Sequence, residues 1–229
     1  MVGNKVDYDV NNLYIPKDGK EDINYQKSFI ATLTIIVRDK DGKIIKRYKQ
    51  KSHSPTANFI GLMLPITYFI TTGNTYTLIS TSNTTLNYKS STSGNGYGLY
   101  YPNNLSNVNT YLANILVGSG SNSNPYSAYN LNAPISNGSG IGQLLYGSLQ
   151  LPTSVAINGS QAYFILSQLY NNESGGTITI SEVGIVVYLA FNSIGTLGNT
   201  LVWYDTLSSP ISVGSGQSLV IYYTFSVNA

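Results

Sequence analysis

The chain has 229 residues, no cysteine, one histidine and a formal net charge of +2. This excludes disulfides, thiolate metal sites and cysteine nucleophiles, and it is too little positive charge to argue for a nucleic-acid partner. The charge is also unevenly placed. Eighteen of the 22 charged side chains lie between Lys5 and Lys51, which leaves only Lys89, Glu173, Glu182 and Asp205 in the 176 residues from Ser54 to Ala229. Catalysis and metal binding usually draw on ionisable groups, so no enzyme activity, cofactor or metal is expected of this body. Ser, Thr, Asn, Gly, Tyr and aliphatic residues make up most of it. Such a surface titrates little and suits a particle exposed to acid, or a protein packed against copies of itself.

Residues 1–28 read as a polar N-terminal arm with a turn at Pro16-Lys17-Asp18-Gly19. The arm is either a disordered terminus or a segment that docks on a neighbouring subunit. Met1 to Asn12 has no apolar core of a secretion signal, which predicts synthesis in the cytoplasm. Phe59–Ile70 is the most apolar stretch, but it is too short to span a bilayer and contains Gly61 and Pro65, so no transmembrane segment is expected.

Phe29–Val37 is rich in β-branched residues and reads as a strand. Asp39-Lys40-Asp41-Gly42 reads as a hairpin turn with positive φ at Asp41 and Gly42, and Lys43–Gln50 as the returning strand with Ile44 and Tyr48 on one face. The basic run Lys43, Lys46, Arg47, Lys49 and Lys51 falls on that strand. It is either a solvated strand face or an anchor for an acidic partner, whether an anionic membrane or another subunit. Ser54-Pro55 reads as a helix start, Ser as N-cap and Pro at the first helical position, with one short helix over Thr56–Leu64 ended by Pro65.

Ile66–Thr72 and Thr75–Ser80 are short strand candidates. Residues 81–110 read as a long Ser/Asn/Gly/Tyr loop, and a loop of that length is seldom neutral. Tyr97, Tyr100 and Tyr101 in it are candidate contact residues, because Tyr offers large area at low entropic cost. Tyr126 and Tyr129 join them. Tyr111–Val117 is apolar and opens onto Gly118-Ser119-Gly120, and Gly147–Leu151, Ala162–Leu169, Thr177–Leu189, Thr200–Tyr204 and Ser218–Val227 are strand candidates. In the last, Leu219, Ile221, Tyr223, Phe225 and Val227 fall on one face. Many short strands between Gly/Asn/Ser turns predict an all-β fold, a jelly-roll-like β-sandwich with one short helix, spanning 29–229 as a single domain.

No chemical motif stands out. His53 between Ser52 and Ser54 does not make a catalytic triad by adjacency. Gly118-Ser119-Gly120 lacks the lysine and the helix of a phosphate loop and reads as a turn. A glycosidase needs two facing carboxylates, whereas Glu182, inside an apolar run, reads as an acceptor for backbone amides at a strand end or bulge. Asn83, Asn104, Asn137, Asn158 and Asn172 are sequons in expected loops and are candidate glycan sites if the chain meets a glycosylating machinery.

The segments Ile115–Gly120, Tyr129–Ile135, Ile178–Ile185, Ser208–Val213 and Gly216–Phe225, in that order, resemble a module of virion proteins from phages and archaeal viruses. The hairpin Val37–Lys43 followed by Ser54–Phe59 is similar to the opening of such proteins. The resemblance covers about residues 30–228. It implies a non-enzymatic building block of a virus particle: a turret, vertex or spike subunit, located in the virion and made in the host cytoplasm. Its partners would be itself, as a pentamer or trimer, and other virion proteins. The Tyr-rich 81–110 stretch has no counterpart in the pattern. A carbohydrate- or host-surface-binding module is the alternative, since aromatic faces and Asn amides suit sugars.

Overall fold

The computed structural model describes residues 29–52, 54–61, 75–89, 113–189 and 198–228. They form an all-β sandwich. The large sheet has strands in the order β2-β1-β11-β8-β6, where β1 is Phe29–Arg38, β2 Ile44–Ser52, β6 Leu145–Tyr146, β8 Gln161–Asn171 and β11 Ser218–Asn228. The short β7, Ala156–Asn158, pairs with the other end of β8. Facing it is a small sheet, β10-β9-β5, made of Gly198–Val213, Ile178–Leu189 and Ala113–Gly118. A separate hairpin pairs β3, Thr75–Ile79, with β4, Thr85–Lys89.

Side chains alternate across a strand, and the registers show which set turns inward. Leu33, Tyr223 and Leu166 stand in one row across β1, β11 and β8, and Ile35, Ile221 and Gln168 in the next. These rows meet Ile180, Val183, Trp203, Ile211 and Val213 of the small sheet in one continuous core. The alternation expected for Leu219 to Phe225 is therefore present and buried. Val227 belongs to the same face but is about half exposed.

Several expectations are corrected. The β1–β2 turn closes through Gly42 N–H to Asp39 O and Asp39 N–H to Lys43 O. Of its residues only Gly42, at φ +82°, takes a positive φ; Asp41 does not. That geometry is a three-residue loop ending in a left-handed glycine. Ser54-Pro55 does not open the helix. Pro55 bridges to Trp203, and Tyr204 N–H donates to Ser54 O. Helical residues begin at 57, where Phe59 N–H reaches Thr56 O. Strand pairing claimed the proline because it lacks an N–H only on the side that needs none.

The stretch from 81 onward is not all loop. Thr85–Lys89 pairs with β3 across a turn in which Asn83 takes φ +59°. Gly147–Leu151 is not a strand but a broken edge of β8, with an isolated bridge from Gln150 to Ser167. The strand expected at Thr200–Tyr204 runs on to Val213, passing Ser208-Ser209-Pro210 through an irregularity between Thr206 and Ile211. His53, residues 1–28, the Ile66–Thr72 strand candidate, Tyr97, Tyr100, Tyr101 and Asn104 lie outside the described residues.

Candidate functional site

Polar side chains close both edges of the sandwich. On one edge, β2 faces β10. Tyr48 Oη shares a hydrogen bond with Ser208 Oγ at 2.9 Å and accepts from Ser208 N–H at 2.8 Å. Gln50 Nε2 donates to Thr206 O at 3.2 Å. Deeper in, Asp205 Oδ2 accepts from Ser52 Oγ and from Tyr223 Oη, and Trp203 Nε1 donates to Ser52 Oγ. On the opposite edge, Gln168 takes the Ile115 N–H at 2.7 Å and donates to Asn114 Oδ1 and Gly147 O. Tyr170 Oη donates to Ile115 O, and Tyr146 Oη donates to Ile135 O at 2.8 Å. Backbone groups of Ile115 that no described strand pairs are thus met by side chains from the large sheet, which blunts that edge.

Burial disfavours the phenolate, so these hydroxyls stay protonated. Burial pushes Tyr146 up to about 12. It raises Tyr170 and Tyr223 well above their ordinary value, with the nearby Asp205 adding to the effect at Tyr223. Tyr204 is also raised, by burial first and then by its hydrogen bond to Glu182.

Glu182 does what its sequence context suggested. Its Oε1 accepts from the N–H groups of Ala133 at 2.7 Å and Gly120 at 3.2 Å. Its Oε2 accepts from Asn132 N–H at 3.0 Å and Tyr204 Oη at 2.6 Å. The fully buried carboxylate thereby pins the Gly118-Ser119-Gly120 turn and the 130–134 loop onto the outer side of the small sheet. A short 3-10 helix, Pro125–Ser127, lies between them, and Ala128 and Leu131 cover Leu201 and Tyr204. Asp205 pairs with Val183, and Thr206 with Glu182. Asp205 and Glu182 therefore point to opposite faces of one sheet and cannot flank a common substrate. Glu173 is exposed in the β8–β9 turn. Among the described residues no group of acidic or histidine side chains is placed to hold a metal, and no helix is long and apolar enough to cross a membrane.

The basic run is on the surface. Lys43 ends the hairpin turn, where Asp39 Oδ1 accepts from the Asp41 and Lys43 N–H groups. Lys46, Arg47, Lys49 and Lys51 are exposed along β2, the terminal strand of the large sheet. Arg47, Lys49 and Lys51 stand opposite Ile36, Thr34 and Thr32, on the outer face, while Tyr48, Gln50 and Ser52 face inward. Lys46, opposite the buried Val37, shares the inward set but is itself exposed. The result is a row of three cations at strand spacing on an edge that no described strand pairs.

Tyr126 and Tyr129 sit on the loop over the small sheet, 60% and 38% exposed. They belong to a different layer from the cations, so the two candidate sets are separate surfaces. Of the sequons, Asn83, Asn137 and Asn158 are exposed. Asn172 is corrected: it is fully buried, and its Nδ2 donates to Gly176 O and Val213 O, so in the folded chain it offers no glycan site. The Asp205 cluster and the tyrosine latches were not anticipated. The signal for them was weak, an acid beside the one Trp in an otherwise apolar strand.

Comparison with protein-family models, with curated proteins and with solved structures found no match to this chain.

Proposed function

We propose that the chain is a non-enzymatic virion structural protein, a capsid vertex, turret or spike subunit that assembles as a symmetric pentamer or trimer with other virion proteins around it. The observation that carries this reading is the division of charge. The sandwich is almost uncharged, while an exposed edge strand concentrates the cations, next to a highly charged arm. A body without charge repulsion packs against copies of itself, and a charged strand gives the contact its register and specificity. Closed homo-oligomers repeat one such interface. The carboxylates Glu182 and Asp205 have structural work that accounts for them, which favours a building block over a hydrolase. In this reading the sandwich is a jelly-roll-like capsid domain and the protein resides in the virion.

Native mass spectrometry of the purified chain at mildly acidic pH tests this. A closed fivefold or threefold species supports a vertex or fibre subunit and chooses between them; a clean monomer overturns the self-assembling subunit. Deleting residues 1–28 should abolish incorporation into particles while the body stays folded.

The exposure of Tyr126 and Tyr129 on a pinned loop favours a second role, binding of host surface glycans by ring stacking. A glycan array without a binder removes it.

A further inference from the structure

We infer that the outer edge of β2, which no described strand pairs, receives an extended strand, residues 5–10 of the N-terminal arm of a neighbouring copy. This rests on the reading of the chain as a self-assembling subunit and names the contact. The edge is the last strand of the large sheet, nine residues long, and its outward row is Arg47, Lys49 and Lys51. Among the described residues no carboxylate pairs with these cations. An unpaired strand edge is a template for strand addition.

Charge selects the occupant. A second β2 would bring cations against cations and is excluded, since like charges directly opposite destabilise a sheet. The uncharged body holds no run of acids. The arm does: Lys5-Val6-Asp7-Tyr8-Asp9-Val10 alternates charged and apolar residues, with Asp7 and Asp9 two apart. That spacing matches two neighbours of the cation row, because side chains on one face of a strand recur every second residue, and Lys5 on the same face then falls past the end of the row. With Asp7 and Asp9 beside the outer row, Val6, Tyr8 and Val10 fall on the inner side, next to Tyr48 and the exposed 208–210 segment of β10. The eighteen residues between Val10 and Phe29 reach up to roughly 60 Å when extended, enough to cross to an adjoining subunit.

The chain contains no cysteine, so a disulfide can form only where cysteines are introduced. Asp9→Cys is placed in one isotopically labelled batch of the full-length chain and Lys49→Cys in an unlabelled batch. Arg47→Cys and Lys51→Cys replace Lys49→Cys to read the register. All are exposed or arm positions that leave the core untouched. After mixing and oxidation, intact-mass measurement should show the mixed dimer well above its random share for at least one of the three edge positions. That excess should vanish when the other two edge cations are changed to Glu. Random shares at all three positions overturn the inference. So does a chain carrying Asp9→Cys and Lys49→Cys together that closes on itself as a monomer at high dilution. An oligomer of the unmodified chain without the mixed dimer sinks the strand addition alone. A mixed dimer from a chain that shows no closed oligomer sinks the symmetric assembly and leaves the strand addition standing.

Discussion

The Tyr223 hydroxyl, on β11 of the large sheet, donates to Asp205 Oδ2, on β10 of the small sheet, at 2.9 Å. It joins the two layers at a point where both side chains are buried. Ser52 from the edge strand donates to the same oxygen and accepts from Trp203. A carboxylate in the core is tolerated because its neighbours are donors. Removing one of them exposes the cost. Tyr223→Phe should destabilise the chain by about 1.5–3 kcal/mol, the usual worth of a buried hydrogen bond to a charged group. Urea unfolding measures it, and an unchanged midpoint would mean that the Tyr223 bond contributes nothing.

Glu182 supports a surface rather than a layer contact. Glu182→Gln keeps the shape but turns one acceptor into a donor facing backbone N–H groups. The expected loss is about 2–3 kcal/mol, with faster amide exchange at Gly120, Asn132 and Ala133. Since the same loop carries Tyr126 and Tyr129, any ligand of those rings should bind more weakly to this variant. Equal exchange rates in the two proteins would detach the loop from the carboxylate.

Alkali should unfold the chain. Four buried tyrosines have phenol pKa values raised in the fold above the ordinary value of 10.0, Tyr146 to about 12. The unfolded chain loses those protons first. Their stabilising contribution is therefore complete below pH about 10 and is lost as pH rises through the folded values. Phenolate absorbance should rise in two stages, exposed tyrosines first and the buried group together with loss of β-structure. A single smooth titration near 10 would contradict this burial.

Packing at Gly184 leaves no room for a side chain. A Cβ there would lie 2.7 Å from Leu201 Cδ1 and 2.9 Å from Trp203 O. Gly184→Ala should cost about 1–3 kcal/mol, as overpacking does. Thr200 is the contrary case. Its buried Oγ1 has no hydrogen-bond partner among the described residues, so Thr200→Val should be neutral or stabilising by about 1 kcal/mol. Thermal melts of the two variants should move in opposite directions or, for Thr200, not at all.

Neutralising the edge, with Arg47, Lys49 and Lys51 all changed to Gln, should alter stability by no more than about 0.5 kcal/mol, because the side chains are exposed. It should nevertheless raise light scattering at high concentration, since charge is what keeps a free edge from nonspecific pairing. A scattering profile identical to the parent's would remove that protective role.

The sequence by itself determined the strands whose own residues alternate or are β-branched: β1, β2, β9 and β11 are within a few residues of their expected limits. It determined the basic row as well, since cations two apart on a strand must share a face. The amide-binding role of Glu182 was legible from its place between apolar runs. The tertiary structure alone decided where polar partners meet. Ser52 finds Asp205 and Tyr48 finds Ser208 across more than 150 residues of chain, and no local pattern encodes such a meeting. The same holds for β10, which continues through Ser208-Ser209-Pro210 because its neighbour β9 pairs with it again at Ile211. Asn172 shows the limit most directly. Its sequon is written in three residues, but its burial comes from the carbonyls of Gly176 and Val213. Periodicity is a property of one strand, while burial of a polar group depends on what a distant strand brings to it.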